Sequence, residues 1–267
     1  MKIIVSHDVD HLFSKDHWLR DLIYPKHIVR SVLQAAIKEI SWRECLLRCR
    51  SCFQKERHRI SQVMDFDQAH GVPSTFFFGM NQGLGMSYYP EEAKETILDV
   101  YNKGFAVGVH GIVYDNLEGI KKEYDKFVQT TGFQPCGIRM HYVRYDEKTF
   151  EREDKTGYLF DSSEFNKAEN GTIKSPYLVG KMWEFPLAIM DGYLPQNFAE
   201  AKQETLKRLE ACRAAGLEYV TVLFHDYQFD EAYSDIRDWY VWLIESIEQS
   251  ESDSFISFVD AIRELEN

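Results

Sequence analysis

The stretch MKIIVSHDVDH (Met1–His11) sets three apolar residues, Ile3 to Val5, directly against His7, Asp8, Asp10 and His11. A short apolar run of this kind reads as a strand, Ile3–Ser6, of a sheet buried on both faces. In parallel α/β proteins the working groups collect at the carboxyl ends of the strands. Side chains alternate along a strand, so Asp8 and Asp10 point to the same side if the strand persists through them.

The same pattern repeats down the chain. VPSTFFFGMN, FAVGVHG, PCGIRMHY, YLFDSS, MWEFPLAIMDG and LEYVTVLFHDY read as strands, and SFISFVDAIRELE as a last strand and helix. Between them lie helical segments. One runs from about Arg59 to His70 and stops at Gly71; another opens on Pro90 with Glu91 and Glu92 in its first turn and stops at Gly104. This β-α alternation predicts a mainly parallel sheet flanked by helices. At 267 residues, with no repeat and no Gly/Ser linker, the chain is expected to form one domain over 1–267.

Composition narrows the function. A formal charge of −12 argues against a nucleic-acid binder, which needs a basic face. The charge is uneven: residues 11–60 carry eleven Lys and Arg against five Asp and Glu, or +6, leaving −18 for the remainder. Cys45, Cys49 and Cys52 stand at i, i+4, i+7 and read as buried small residues on one helical stripe; with Cys136 and Cys212 they make an odd count, unlike a disulfide scaffold. Met1-Lys2 leads straight into the strand without the basic and apolar regions of a secretory signal, and no apolar run is long enough to span a bilayer. A cytoplasmic protein with reduced thiols is expected.

Five strand ends carry polar groups: His7, Asp8 and Asp10; His110; Arg139, His141 and Tyr142; Asp161; His225 and Asp226. A barrel or open sheet brings such ends to one rim. Asp and His match Zn²⁺ or a similar divalent ion. A free Asp beside it can act as base, a His across the site as acid, and an Arg can hold the Asp ionised. That set suits hydrolysis of an amide or ester. There is no Gly-rich phosphate loop and no G-x-S-x-G elbow.

The order of these motifs, from Ile3 to about Asp226, resembles the NodB-type polysaccharide deacetylases, carbohydrate esterases with a distorted (β/α) barrel of about seven strands. In SHDVD, the resemblance implies Asp8 as base and Asp10 as metal ligand, with Val9 between them as a departure. In HGIVYDNL it implies His110 as ligand, but Tyr114 stands where the family has a second His. The alternatives are a third ligand from His141, His7 or Asp115, or weak metal binding; His141 leads because it replaces the proline of the family's R-x-P-Y motif, here RMHY. Arg139 would orient Asp8, and the Tyr142 N–H would form the oxyanion hole. Asp161 or Asp191 would pair with the catalytic imidazole, and Trp183 would wall a sugar ring. His225, in LFH, would be the general acid.

The sequence also resembles the subgroup encoded with bacterial surface-polysaccharide pathways, O-antigen clusters included. The resemblance implies a divalent metal, Zn²⁺ by ligand type, and an acylated amino sugar carried on a nucleotide or lipid phosphate. A same-fold hydrolase of a non-carbohydrate amide and an inactive sugar-binding relative are the alternatives. Residues 11–59 form a helical insertion longer than the family's usual first connection. Ile28, Val32, Leu33, Ala36, Ile37 and Ile40 recur there at helical spacing. Its cations read either as a solvated face or as a lid toward a phosphorylated donor or an anionic membrane surface.

Overall fold

The structure, a computed structural model, describes residues 1–19 and 22–267. Strand β1 (Lys2–Val9) sits at the centre. The helices α1 (Asp16–Leu19), α2 (Ile23–Ala36) and α3 (Trp42–Ser51) follow, then α4 (Ile60–Ala69) and β2 (Thr75–Gly79). Next come α5 (Pro90–Asn102), β3 (Ala106–Gly111), α6 (Leu117–Thr131), β4 (Ile138–Met140), α7 (Thr149–Thr156) and β5 (Phe160–Asp161). A hairpin of β6 (Tyr177–Val179) and β7 (Met182–Glu184) leads into β8 (Leu187–Met190). The chain ends with α8 (Phe198–Ala214), β9 (Tyr219–Leu223), α9 (Ser234–Glu248), β10 (Ser254–Phe255) and α10 (Phe258–Leu265).

The sheet order is β6-β7-β5-β4-β3-β2-β1-β9-β8, parallel except for the β6–β7 hairpin, with β10 added to the start of β1. Only Phe185 and Pro186 separate β7, which pairs with β5, from β8, which pairs with β9. The curled sheet is therefore joined end to end by the chain itself. Leaving out the short β10 and counting β7–β8 as one run, the parallel strands number seven, in line with the expected barrel.

Alternation along β1 sorts the core into two layers. Ile3, Val5 and Val9 face outward and pack with Val63, Met64 and Ile244 of the surrounding helices. Ile4 faces inward with Phe77, Phe160, Phe185 and Tyr219, and Phe258 and Ile262 of α10 plug that end. The interior is narrow. A Cβ at Gly137 would lie 2.2 Å from the Phe160 ring, and one at Gly108 would lie 2.8 Å from Phe77. Burial of these rings, at about 2 kcal/mol or more per large apolar side chain, makes the interior a floor rather than a channel.

Between Leu12 and Arg57 the chain leaves the barrel through a neck closed by the bridge Phe13↔Glu56. Its return is anchored by arginines turned inward. Arg48 Nε donates to the Ala232 carbonyl at 3.2 Å, Arg57 Nη2 to Tyr233 Oη at 2.5 Å, and the Arg59 N–H to Asp226 Oδ2 at 2.7 Å. The expected apolar face of this region is reversed. Helix α2 buries Tyr24, Ser31 and Ala35 and turns Val32, Leu33 and Ile37 to solvent.

Candidate active site

Strand β1 runs to Val9, three residues beyond the Ile3–Ser6 run, and so carries Asp8 within the ladder. Asp8 shares the inward phase of Ile4 and Ser6. His7 takes the opposite phase and is spent in the outer layer. Its Nε2 lies 2.9 Å from Asp67 Oδ2 and its Nδ1 3.0 Å from the Phe224 carbonyl. Ser74 Oγ (2.5 Å) and Tyr240 Oη (2.6 Å) donate to the same Asp67 carboxylate. His7 is therefore excluded as a ligand of the inner site. Asp115 is excluded as well: it is exposed, beyond the strand end, beside Asn116.

Inside, three atoms converge. Asp10 Oδ1 lies 3.1 Å from His110 Nε2 and 3.2 Å from His141 Nδ1, and the two imidazole nitrogens are 3.0 Å apart. Each histidine's other nitrogen meets a backbone carbonyl: His110 Nδ1 meets Arg139 O at 2.9 Å, and His141 Nε2 meets Leu84 O at 3.2 Å. A carbonyl only accepts, so the ring proton of each histidine sits on that outer nitrogen. The inner nitrogens then present lone pairs, and Asp10 presents an oxygen, to one point. Carboxylate and imidazole donors, with each ring held from behind by a backbone carbonyl, are the pattern of a divalent metal site. These three residues are the one such cluster among the described residues. Burial works against the Asp10 charge, yet His141 and His110 hold its carboxyl well below the usual range. His141 is raised despite its own burial by the Asp10 charge. The pocket's field thus favours positive charge at its centre.

Tyr114 takes no part. Its ring lies under the Arg144 guanidinium, 4.9 Å from centroid to carbon. His141, from the next strand end, stands in its stead. The chain gets there by a sharp turn: Tyr142 (φ 59°, ψ 21°) and Val143 (φ 45°) both adopt left-handed backbone, at a cost of about 1–3 kcal/mol each. That turn buries His141 and leaves Tyr142 on the cavity wall.

Asp8 and His225 flank the three atoms. Asp8 Oδ2 is 3.7 Å from His110 Nε2, and Asp8 Oδ1 is 3.6 Å from Arg139 Nη1. Arg139 is fully buried, donates from Nη2 to Ser6 Oγ at 3.1 Å, and lies over the Phe77 ring at 5.1 Å. Asp8 Oδ1 and Arg139 Nη1 make no hydrogen bond, a rare state for buried polar atoms. Opposite, His225 Nδ1 donates to Asp191 Oδ1 at 2.7 Å, and its Nε2 stands 3.7 Å from Asp10 Oδ2. Asp191 is itself fixed by the N–H groups of His225 (2.6 Å) and Gly192 (2.6 Å) and by Gln228 Nε2 (2.7 Å). Burial opposes a charge on His225, but Asp191, with Asp10 and Asp8 behind it, pushes its pKa up to about 10.

Asp8, Asp10, His110, His141, Tyr142 and His225 line a cavity of about 580 Å³ together with His11, Arg30, Leu84, Met190, Tyr193 and Tyr227. Two expected substrate residues are elsewhere. Trp183 belongs to the apolar floor with Phe160 and Phe77 and does not line the cavity. Asp161 is in register with Ile138, an outer-layer residue, and is occupied by Ser163 Oγ (2.6 Å) and the Ser163 N–H (3.0 Å). Asp191 is buried and reaches the cavity only through His225. Sequence reasoning left out His11, whose buried Nδ1 is unpartnered, and the cavity's Leu84–Gly85 wall. His11 stood in the opening motif; Leu84 and Gly85 carried no chemical signal.

A curled parallel sheet with this rim defines a class: the chain has the NodB-like barrel fold of the polysaccharide deacetylases. It is similar to a protein assigned as a polysaccharide deacetylase from Mycobacterium smegmatis (TM-score 0.61, 15% identity, covering 99% of this chain and 89% of that one). It is also similar to the allantoinase PuuE (TM-score 0.58, 16% identity, 78% and 72% covered). A third likeness is to a protein assigned as a polysaccharide deacetylase from Pseudomonas aeruginosa PAO1 (TM-score 0.56, 14% identity, 78% and 72% covered). At these identities the likeness establishes the fold. No family model and no curated protein matches the sequence.

Proposed function

We propose that the protein is a metal-assisted hydrolase that removes an N-acetyl or related acyl group from an amino sugar. One observation carries this reading: three lone-pair atoms 3.0–3.2 Å apart, with a carboxylate on one side and a carboxylate-held imidazole on the other. Asp10, His110 and His141 would hold a divalent ion, which would supply Lewis acidity for a carbonyl and for water; imidazole and carboxylate ligands suit Zn²⁺.

The chain's own residues do the rest. Arg139, 3.6 Å from Asp8, orients the carboxylate, and Asp8 accepts a proton from the attacking water. The Tyr142 N–H donates to the oxygen that becomes negative as the carbonyl carbon turns tetrahedral. His225, held as imidazolium by Asp191, gives its Nε2 proton to the departing nitrogen as the C–N bond breaks. Acetate and a free amine leave.

The sequence resemblance supports a finer placing, in cytoplasmic bacterial surface-polysaccharide or O-antigen biosynthesis, on a sugar linked to a nucleotide or lipid phosphate. No described helix is long and apolar enough to cross a membrane. The likeness to PuuE favours a second reading, hydrolysis of a small cyclic amide. A panel of N-acetylated nucleotide sugars, chitooligosaccharides and cyclic amides, assayed for released acetate and primary amine, tests both. Release only from acetylated sugars is expected. Turnover of cyclic amides alone would favour the second reading, and turnover of neither class by the metal-loaded protein would contradict both.

A further inference from the structure

Helices α2 and α3 pack side by side, clipped by Arg48 Nη1 to Gln34 Oε1 at 3.3 Å. Both are built inside out. Helix α3 buries Cys45, Arg48 and Ser51, and α2 buries Tyr24, whose hydroxyl donates to Ser14 Oγ at 2.8 Å, with Ser31 and Ala35. Their large apolar residues face solvent instead. Val29 (60%), Leu33 (60%) and Ile37 (66%) recur every four residues on and just past α2. Trp42 (59%) and Leu46 (69%) do so on α3, with Phe53 (72%) just beyond its end. Folding gives no reason for this arrangement, since the core takes small and polar residues of each helix, with Tyr24, and leaves the large aliphatic ones outside. Contiguous exposed apolar surface of this kind marks an interaction site.

The charge around it says with what. Lys26, Arg30, Lys38, Arg43, Arg50 and Lys55 are all exposed among these residues, against the exposed Glu39 and Glu56 and the half-buried Glu44. The chain as a whole carries −12. Apolar side chains interleaved with Lys and Arg are the pattern of a helix lying in a lipid interface. An isologous pairing of two copies through this face would set like charges against each other. The face also continues into the cavity, because Ile23 and Arg30 of α2 line its mouth.

We propose that the solvent face of α2 and α3 docks on an anionic bilayer and holds the cavity mouth at the headgroup layer. The proposal does not depend on the hydrolase reading, and its test does not use catalysis. The full-length protein is sedimented with phosphatidylcholine vesicles with and without phosphatidylglycerol. Binding roughly tenfold or more tighter to the anionic vesicles is expected, weakening as NaCl rises. The double substitution Leu33→Asp/Ile37→Asp should abolish it with the thermal midpoint and metal content unchanged. Arg43→Glu/Arg50→Glu should weaken it several-fold, and Leu206→Asp on α8, 48% exposed, should not alter it. Failure to sediment with anionic vesicles would overturn the proposal. So would binding indifferent to the double substitution, or a dimer by light scattering that the same substitution dissolves.

Discussion

On β1, adjacent residues are held in opposite ways. His7, on the outer face, has both ring nitrogens engaged and a partner, Asp67, that accepts three hydrogen-bonding groups. Asp8, on the inner face, is as deeply buried but leaves an oxygen without a hydrogen bond, facing an arginine with the same deficit. Burial without pairing costs about 1–3 kcal/mol per polar group, and here the two such groups face each other at the edge of the metal-ligand cluster. The difference separates a histidine that holds layers together from a carboxylate kept ready for chemistry. The letters H and D side by side do not.

The sharpest way to break this comparison is Asp8→Asn. Loss of the base should lower kcat by roughly 10²–10⁴-fold while bound metal stays stoichiometric, as read by steady-state kinetics and elemental analysis. Undiminished turnover would return Asp8 to a structural role. His7→Ala should do the reverse. It strips a buried partner from Asp67 and should cost about 3 kcal/mol in urea denaturation, with kcat of the folded fraction unchanged.

Glu123 sharpens the comparison on another outer-facing group. Its carboxylate accepts from the Ile112 and Val113 N–H groups, just past His110, and from Asn81. Burial still pushes its pKa up to about 7 from 4.5. A raised acid binds its proton more tightly when folded. Its contribution is fully present below about pH 4.5 and is lost as pH rises to about 7, on the order of 3 kcal/mol. Glu123→Gln should flatten that part of the stability–pH curve; an unchanged slope would assign the titration elsewhere. The smallest effect belongs to Tyr114→His. Its ring is held under Arg144 and away from the cavity, so metal affinity by calorimetry should stay within about threefold. A large gain would show that the loop can still supply the missing ligand.

Much of this was legible in the sequence. The alternation of apolar runs and helical segments gave the parallel sheet, and the strand ends gave Asp8, Asp10, His110, Arg139 and His225. Three things needed three dimensions. The exclusion of His7, behind the favoured His141, depends on strand phase, and β1 running to Val9 places His7 outward. The partner of His225 lies 34 positions away, past a register shift between Leu187 and Ile189 that no residue type announces. Periodicity also misled. The apolar stripe of Val32, Leu33 and Ile37 marks a true helix face, but spacing cannot say whether that face meets the core or the solvent.

The central claim is that Asp10, His110 and His141 together hold a divalent ion, with His141 replacing the ligand that Tyr114 does not provide. Anomalous scattering at the zinc edge, from crystals soaked in Zn²⁺, tests it most directly. The account predicts one strong peak bonded to Asp10 Oδ1, His110 Nε2 and His141 Nδ1. A cavity with no peak, or an ion that leaves His141 unbonded, would contradict it.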